Sequence, residues 1–326
     1  VKTLVVKEND AGQRIDKLLL KTYSNLPVSM MYKGIRTKKI KLNGKRCSIS
    51  DKVNAGDVIT LYLNDEFLES GGADYDFLSA PGKIDVVYED KNIILINKPA
   101  GLLVHPDKSE SRDTLVSRVK RYLFEKGEYD PKLENSFAPA LVNRLDRNTS
   151  GIVIAAKNAA SLRILNQKLK GGEIRKFYLC IACGVLKRKE DTLEGYLDKD
   201  GDKNLVSISS QAQGGSRGIK TKYRVIGEKN GFSLLEIELL TGRPHQIRAH
   251  LASIGHPILG DRKYGLDGVN RKTGYDNQAL CSYRLIFDFK NSGGEDSHLD
   301  YLAGREFRLG SVWFEDEFWK GIKNRG

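Results

Sequence analysis

Apolar residues first recur at helical spacing, at Ile15, Leu18 and Leu19 and again from Val28 to Ile35, which predicts two short helices. The period then shortens. "IKLNGKRC" holds an Asn43-Gly44 pair, a hairpin signature because both residues tolerate positive φ, and "DVITLYL" has the β-branched and aromatic content of a strand. Further along, "IDVVYEDKNIILINKP" predicts two strands around a turn at Asp90 to Asn92. "RDTLVSRVKRYLFEKG" predicts a helix with Asp113 as N-cap and Leu115, Val119 and Leu123 on one face. "GIVIAAKNAASLRILNQKLKGGEIRKFYLCIACGVLK" reads as strand, helix, strand, with Asn158 capping the helix, Leu162, Leu165 and Leu169 as its apolar side, and Gly171-Gly172 ending it. "FSLLEIELLTGRPHQIRAHLASIGHPILGD" predicts a strand ending near Thr241 and then a helix. That helix has Pro244 in its first turn, a buried stripe of Ile247, Leu251 and Ile254, and Gly255 just past its end.

Between these halves, residues 64–82 contain Gly71-Gly72 and Pro81-Gly82 and no basic residue, the composition of a linker. The expected organisation is therefore a small body over residues 1–63, an acidic and Gly-containing linker over 64–82, and a larger body over 83–326. A chain of 326 residues that is 40% hydrophobic is long enough to build both cores.

Charge sharpens this division. Residues 1–63 carry 13 Lys and Arg against 5 Asp and Glu, whereas residues 64–82 carry 5 acidic residues, within a net charge of +12. Arg36, Lys38, Lys39, Lys41, Lys45 and Lys52 gather where the second helix runs into the hairpin, a patch suited to a phosphate backbone. No apolar run approaches the roughly 18 residues of a membrane span, and the N-terminal residues turn polar too soon for a signal peptide, so the expected compartment is the cytoplasm and no membrane partner is implied. Four cysteines make no disulfide framework. Cys180 and Cys183 fall on opposite faces of a predicted strand, and His245, His250 and His256 are spaced by five and six residues, off any common helical face. No metal site is expected from these spacings, and no obligate protein partner is evident.

One stretch, "LVNRLDRNTSG", poses a chemical question. Asp146 stands between Arg144 and a turn-forming Asn-Thr-Ser-Gly, in a loop feeding a buried strand. Such a carboxylate either caps the turn or is a reactive group held by rigid elements, and Thr149, Ser150 and Gly151 supply turn chemistry on both readings. Arg248 falls one residue from the apolar stripe of its helix, at the edge of the core, where a guanidinium can hold a partly buried carboxylate.

The order helix, helix, basic hairpin, "AGDVI" over residues 11 to 63 resembles the S4-like RNA-binding domain. "KPAGLLVHP", "NRLDRNTSG", "RKFYLCIACG" and "TGRPHQIRAHLASIGHPILGD", in this order across residues 84 to 290, resemble the motifs of the large-subunit ribosomal RNA pseudouridine synthases of the RluA type, specifically the RluC/RluD-like members. The resemblance implies an α+β fold, with a mixed, mostly antiparallel sheet, flanking helices and a cleft. It also implies the isomerisation of uridine to pseudouridine in structured RNA, most plainly 23S ribosomal RNA, with neither metal nor cofactor. By the same resemblance Asp146 is the catalytic carboxylate, acting either as nucleophile or as base at the sugar C2′, and Arg248 is its partner. Arg144 fills the space left by a flipped base, and Tyr178 stacks on that base. Two positions depart from the pattern: Asn143 stands where a His usually precedes Arg-Leu-Asp, and Cys180 where a small residue, often Ala, is usual. Rival classes are a non-catalytic RNA-binding or ribosome-assembly factor, an RNA N-glycosidase, which would more often use two carboxyls, and a synthase acting on transfer RNA.

Overall fold

The computed structural model describes residues 1–69, 75–200, 205–212, 214–290 and 294–323; Gly71 and Gly72 of the expected linker lie outside them. The strands and helices in chain order are β1 (Lys2–Val5), α1 (Ile15–Thr22), α2 (Val28–Arg36), β2 (Ile40–Leu42), β3 (Lys45–Arg46), β4 (Val58–Leu61), β5 (Val86–Glu89), β6 (Ile93–Lys98), α3 (Leu115–Glu125), β7 (Ala140–Leu141) and β8 (Ser150–Ala156). They continue with α4 (Ala159–Lys170), β9 (Ile174–Cys183), β10 (Glu190–Asp200), β11 (Leu205–Ser209), β12 (Arg217–Lys229), β13 (Phe232–Leu239), α5 (Gln246–Ser253), α6 (Asp267–Thr273), β14 (Leu280–Phe287), β15 (Glu306–Arg308) and α7 (Glu315–Lys320). Compactness divides the chain into two units, one of Val1–Lys83, Pro106–Ala140 and Ala156–Arg163, the other of Ile84–His105, Leu141–Ala155 and Ile164–Gly326.

In the first unit, the four strands lie in the order β1-β4-β2-β3. The predicted helical positions Ile15, Leu18 and Leu19 are fully buried and join Met31, Ile35, Ile40, Ile59 and Leu61 in one core, while Val28 at the start of α2 is exposed. Asn43 and Gly44 both take positive φ, as the hairpin between β2 and β3 requires. Buried Asp10 explains how a distant segment belongs here: its carboxylate accepts from the Lys7 amide, from Asn135 Nδ2 at 2.6 Å and from Ser136 Oγ at 2.7 Å. A buried carboxylate without such donors would be strongly destabilising. Thr114, rather than Asp113, caps α3 by accepting from the Ser117 amide, and Asp113 instead forms a two-pronged ion pair with Arg118. The hydroxyl wins because it sits one residue nearer the first free amides.

The second unit is built on the large sheet, whose order is β11-β10-β12-β13-β9-β14-β8-β6-β5, with β15 on β14 and β7 on β8. Pairing is antiparallel along β10, β12, β13, β9 and β14, and parallel between β14 and β8. The fold is α+β with a mixed, mostly antiparallel sheet. Strand β9 is buried on both faces from Phe177 to Cys183, so Cys180 and Cys183 are both core residues whichever way they point.

Several local expectations change here. Asn158 does accept from the Ser161 amide at the start of α4, but the buried positions of that helix are Ser161, Ile164, Leu165 and Lys168, with Leu162 and Leu169 only half-buried. Helix α5 begins at Gln246, so Pro244 precedes it, and Ile254 beyond its end is exposed. Ser150 and Gly151 belong to β8 and not to the turn. Gly151 has φ +115°, and a Cβ there would stand 2.3 Å from the Ser282 carbonyl oxygen. The glycine is required by the close approach of β14.

Candidate active site

Asp146 lies in the loop between β7 and β8, and its environment is built from three other segments of the second unit. Its backbone carbonyl accepts from the Thr149 amide at 3.0 Å, which makes the tight turn, and Gln278 Nε2 holds the buried Thr149 hydroxyl at 3.1 Å. Immediately upstream, Asn143 clamps the loop to β8: its Oδ1 accepts from the Ile154 amide at 2.8 Å and its Nδ2 donates to the Ile152 carbonyl at 3.4 Å. An amide serves there because it has both a donor and an acceptor to match a strand backbone.

The carboxylate itself is 27% exposed and receives Arg248 Nη1 on Oδ2 at 2.8 Å. Among the described residues nothing donates to Oδ1, so one oxygen stays open. Arg248 is fixed from the other side by Asp261, with Nε to Oδ2 at 2.6 Å and Nη2 to Oδ1 at 2.8 Å. Asp261 is fully buried and also accepts the amides of Lys263 and Tyr264. Burial on its own would weaken the Arg248 cation, but the hydrogen bonds and charge of Asp261, then those of Asp146, reverse this and hold it firmly protonated. Burial likewise pushes the Asp261 carboxyl up, and Arg248 outweighs it and brings the carboxyl below its ordinary range.

Helix α5 gains its position from Gln246, a buried side chain that accepts from the Arg243 amide and donates to the Lys220 carbonyl and to Thr221. Its N-cap residue, His245, has φ +53°, a left-handed conformation uncommon outside glycine. The Tyr264 hydroxyl accepts from the Val206 amide and lies 3.0 Å from His245 Nδ1, so it can donate there and leave the imidazole proton on Nε2. That nitrogen is 4.0 Å from Asp146 Oδ2. Burial lowers the His245 pKa, and the charges of Asp146 and Arg248 pull it in opposite directions. His250 turns to Thr221 and His256 to the Cys183 carbonyl, so the three histidines serve three places.

Tyr178 on β9 is 5% exposed and sits in register with Ser282 on β14 and Ile237 on β13. Burial raises its phenol pKa, and Asp146 is near enough to add to the rise, so the hydroxyl stays neutral. Arg144 is exposed and forms no ion pair with any described residue. The sequence-predicted residues Asp146, Arg248 and Tyr178 are thus brought together, with Arg144 two residues away in the chain.

Two contributors were not singled out from the sequence. Asp261 is one, and its signal was the "GHPILGD" end of a quoted motif. Lys98 is the other. It is fully buried, and its Nζ donates to the carbonyls of Pro99, Leu102 and Arg147 at 2.9, 2.8 and 2.9 Å. These bonds tie the turn after β6 to the turn that carries Asp146. Burial lowers the Lys98 pKa to about 7, the Asp146 charge opposing it.

In the first unit, Arg36, Lys38, Lys39 and Lys45 are exposed, and Lys41, half-buried, lies 5.4 Å over the ring of exposed Tyr62. None of the five forms an ion pair with a described carboxylate. A basic surface with an available aromatic ring suits a nucleic acid strand.

Residues 92–253 match the family model described as RNA pseudouridylate synthase, and residues 13–59 match the S4 domain model. The class is that of an enzyme that rebuilds a base within RNA. An uncharacterized RNA pseudouridine synthase of Mycoplasma capricolum subsp. capricolum is 32% identical over 95% of this chain and 97% of its own length. The ribosomal large subunit pseudouridine synthase D of Borreliella burgdorferi is 34% identical over 73% of this chain and 69% of its own. The structure of human RNA Pseudouridylate Synthase Domain Containing 4 superposes with a TM-score of 0.55 at 21% identity, over 71% of this chain and 89% of that one, which shows a shared fold. The chain belongs to the RluA-type RNA pseudouridine synthase family, and its activity is the isomerisation of uridine in RNA.

Proposed function

We propose that Asp146 is the carboxylate that acts on the linkage between uracil and ribose, and that the substrate is 23S ribosomal RNA. The observation that carries this reading is the 2.8 Å bond from Arg248 Nη1 to one oxygen of Asp146, with the other oxygen left open. A carboxylate so placed sits beside a fixed cation and keeps one oxygen free, which is what a nucleophile or base needs.

The target base must leave its stack to reach this group, at a cost of a few kcal/mol. Arg144, exposed and without an ion pair among the described residues, is suited to enter the vacated space. Tyr178 offers a ring for the flipped uracil, a contact worth about 1–3 kcal/mol. Residues 1–63, with Arg36, Lys38, Lys39, Lys41 and Lys45, supply the RNA-binding module, and residues 83–326 the catalytic body. The reaction runs in the cytoplasm, where ribosomal RNA is assembled. The Borreliella relative's name supports the ribosomal substrate.

Asp146→Asn tests the catalytic reading. The expected result is RNA bound with near wild-type affinity and no pseudouridine formed; full turnover in this variant would refute the assignment. For the substrate, 23S ribosomal RNA from a deletion strain and its parent is compared with a pseudouridine-specific chemical probe. A missing signal at one or more positions supports the reading, and an unchanged 23S pattern with a loss in transfer RNA overturns it.

A further inference from the structure

Lys176 is a cation that the site as described does not use. It lies on β9 two residues before Tyr178, so both side chains leave the same face of the strand, about 7 Å apart along it. Across the sheet it is in register with Leu285 of β14. The acids of neighbouring β13 turn the other way: Glu238 pairs with Arg175, and Glu236 with Arg284. The Lys176 ammonium is half-buried and has neither a hydrogen bond nor an ion pair among the described residues. Its Nζ lies 3.5 Å from where a Cβ on Gly242 would stand, in the loop that leads to His245 and α5. Arg243, next in that loop, is exposed and likewise unpaired with any described carboxylate.

A half-buried ammonium without a partner is unfavourable in the free protein, and burial with no nearby carboxylate lowers its pKa. An arriving anion would remove that penalty. The spacing matches one nucleotide, from a base over Tyr178 to its own backbone phosphate.

We propose that Lys176 binds the phosphate adjoining the target uridine, fixing the register of the RNA strand over Asp146. This rests on the reading that the uracil lies against Tyr178 and Asp146. Lys176 is a binding and positioning residue with no part in bond breaking. A single ammonium suffices because a phosphate oxygen needs a point charge there and not a planar fork.

The test uses the full chain and an unmodified transcript of 23S ribosomal RNA. Lys176→Met is expected to raise KM by about 10-fold or more, the scale of one charge-assisted hydrogen bond. It should also reduce the slope of log affinity against log salt by roughly 1, as loss of one phosphate contact requires, with kcat falling less than KM rises. Lys176→Arg restores most of the affinity. Gly242→Asp is the second arm. It leaves Lys176 intact but sets a carboxylate against its Nζ, and it should reproduce the rise in KM and add nothing to Lys176→Met. Wild-type KM and salt slope in Lys176→Met, or a fall confined to kcat, overturn the proposal; if Lys176→Met does not fold, a wild-type KM in Gly242→Asp does so. Asp146→Asn keeps the two readings apart. Should it stay fully active, the catalytic reading fails; should it be inert while Lys176→Met binds RNA normally, only the phosphate contact fails.

Discussion

Arg248 faces Asp261 with two nitrogens, at 2.6 and 2.8 Å, and Asp146 with the third, at 2.8 Å. The guanidinium is therefore clamped by Asp261 independently of Asp146, and its donor direction does not depend on substrate. Such a fixed charge needs no reorganisation when the reaction occurs. Arg248→Met is expected to cut turnover by roughly 100-fold or more, on the scale of removing one preorganised electrostatic group. Asp261→Asn keeps the volume but leaves the buried cation underpaired, and should cost about 3 kcal/mol or more in stability together with a fall in kcat. Single-turnover rates and thermal melts check both; an Asp261→Asn enzyme with wild-type kcat would mean that Asp146 alone orients Arg248.

In the proposed site the Tyr178 ring meets the flipped base, and burial holds its hydroxyl neutral. Tyr178→Phe keeps the ring and removes only the hydroxyl, whereas Tyr178→Ala loses both, including stacking worth about 1–3 kcal/mol. The expected order of kcat/KM is wild type, Phe, then Ala, the last gap being about 10-fold or larger by that energy. Indistinguishable Phe and Ala variants would contradict the stacking role.

Gly151 and Ser282 are parallel partners, and the missing side chain lets the two backbones meet. Gly151→Ala must accommodate a Cβ 2.3 Å from a carbonyl oxygen at φ +115°. A loss of roughly 4 kcal/mol or more is expected, enough to leave most of the chain insoluble or unfolded. A normal melting temperature would show that β8 and β14 do not approach this closely.

His250, buried, and His245, half-buried, set an acid limit on stability. Burial lowers the pKa of both His245 and His250 below the ordinary value of 6.5. On acidification the unfolded chain takes up protons near 6.5 while the folded chain still refuses them. Their contribution is thus fully present above about 6.5 and is lost as pH falls below it. Melting temperature should drop with pH in that window, and the drop should be shallower in His245→Gln and His250→Gln. Unchanged slopes in both variants would assign the acid limit elsewhere.

How much of this was written plainly in the chain differs from place to place. The α1 stripe and the Asn43-Gly44 hairpin were legible because local pattern and final burial coincide. Asp146, Arg248 and Tyr178 were found through separated motifs, and the structure brings them into one place. Asp261 and Lys98 escaped because their importance lies in partners distant in sequence: Lys98 reaches Arg147, and Asp261 reaches Arg248. Gly151 was misread as turn chemistry since a glycine in a turn and a glycine under a neighbouring strand look alike until the neighbour is known. The cap of α3 is Thr114 and not Asp113 because the helix begins one residue later than its apolar spacing suggested, which leaves Asp113 outside the cap and paired with Arg118.

The parallel seam between β8 and β14 also bears on the order in which the sheet is completed. Ser150 pairs with Cys281, residues far apart along the chain, and Asp146 hangs from the start of β8. A chain emerging from the ribosome can lay β8 against β6, made before it, but the other edge of β8 stays open until β14 has been made, and long-range pairings of this kind form slowly. The loop that carries Asp146 is therefore backed on both sides of β8 only once Leu280–Phe287 has been made.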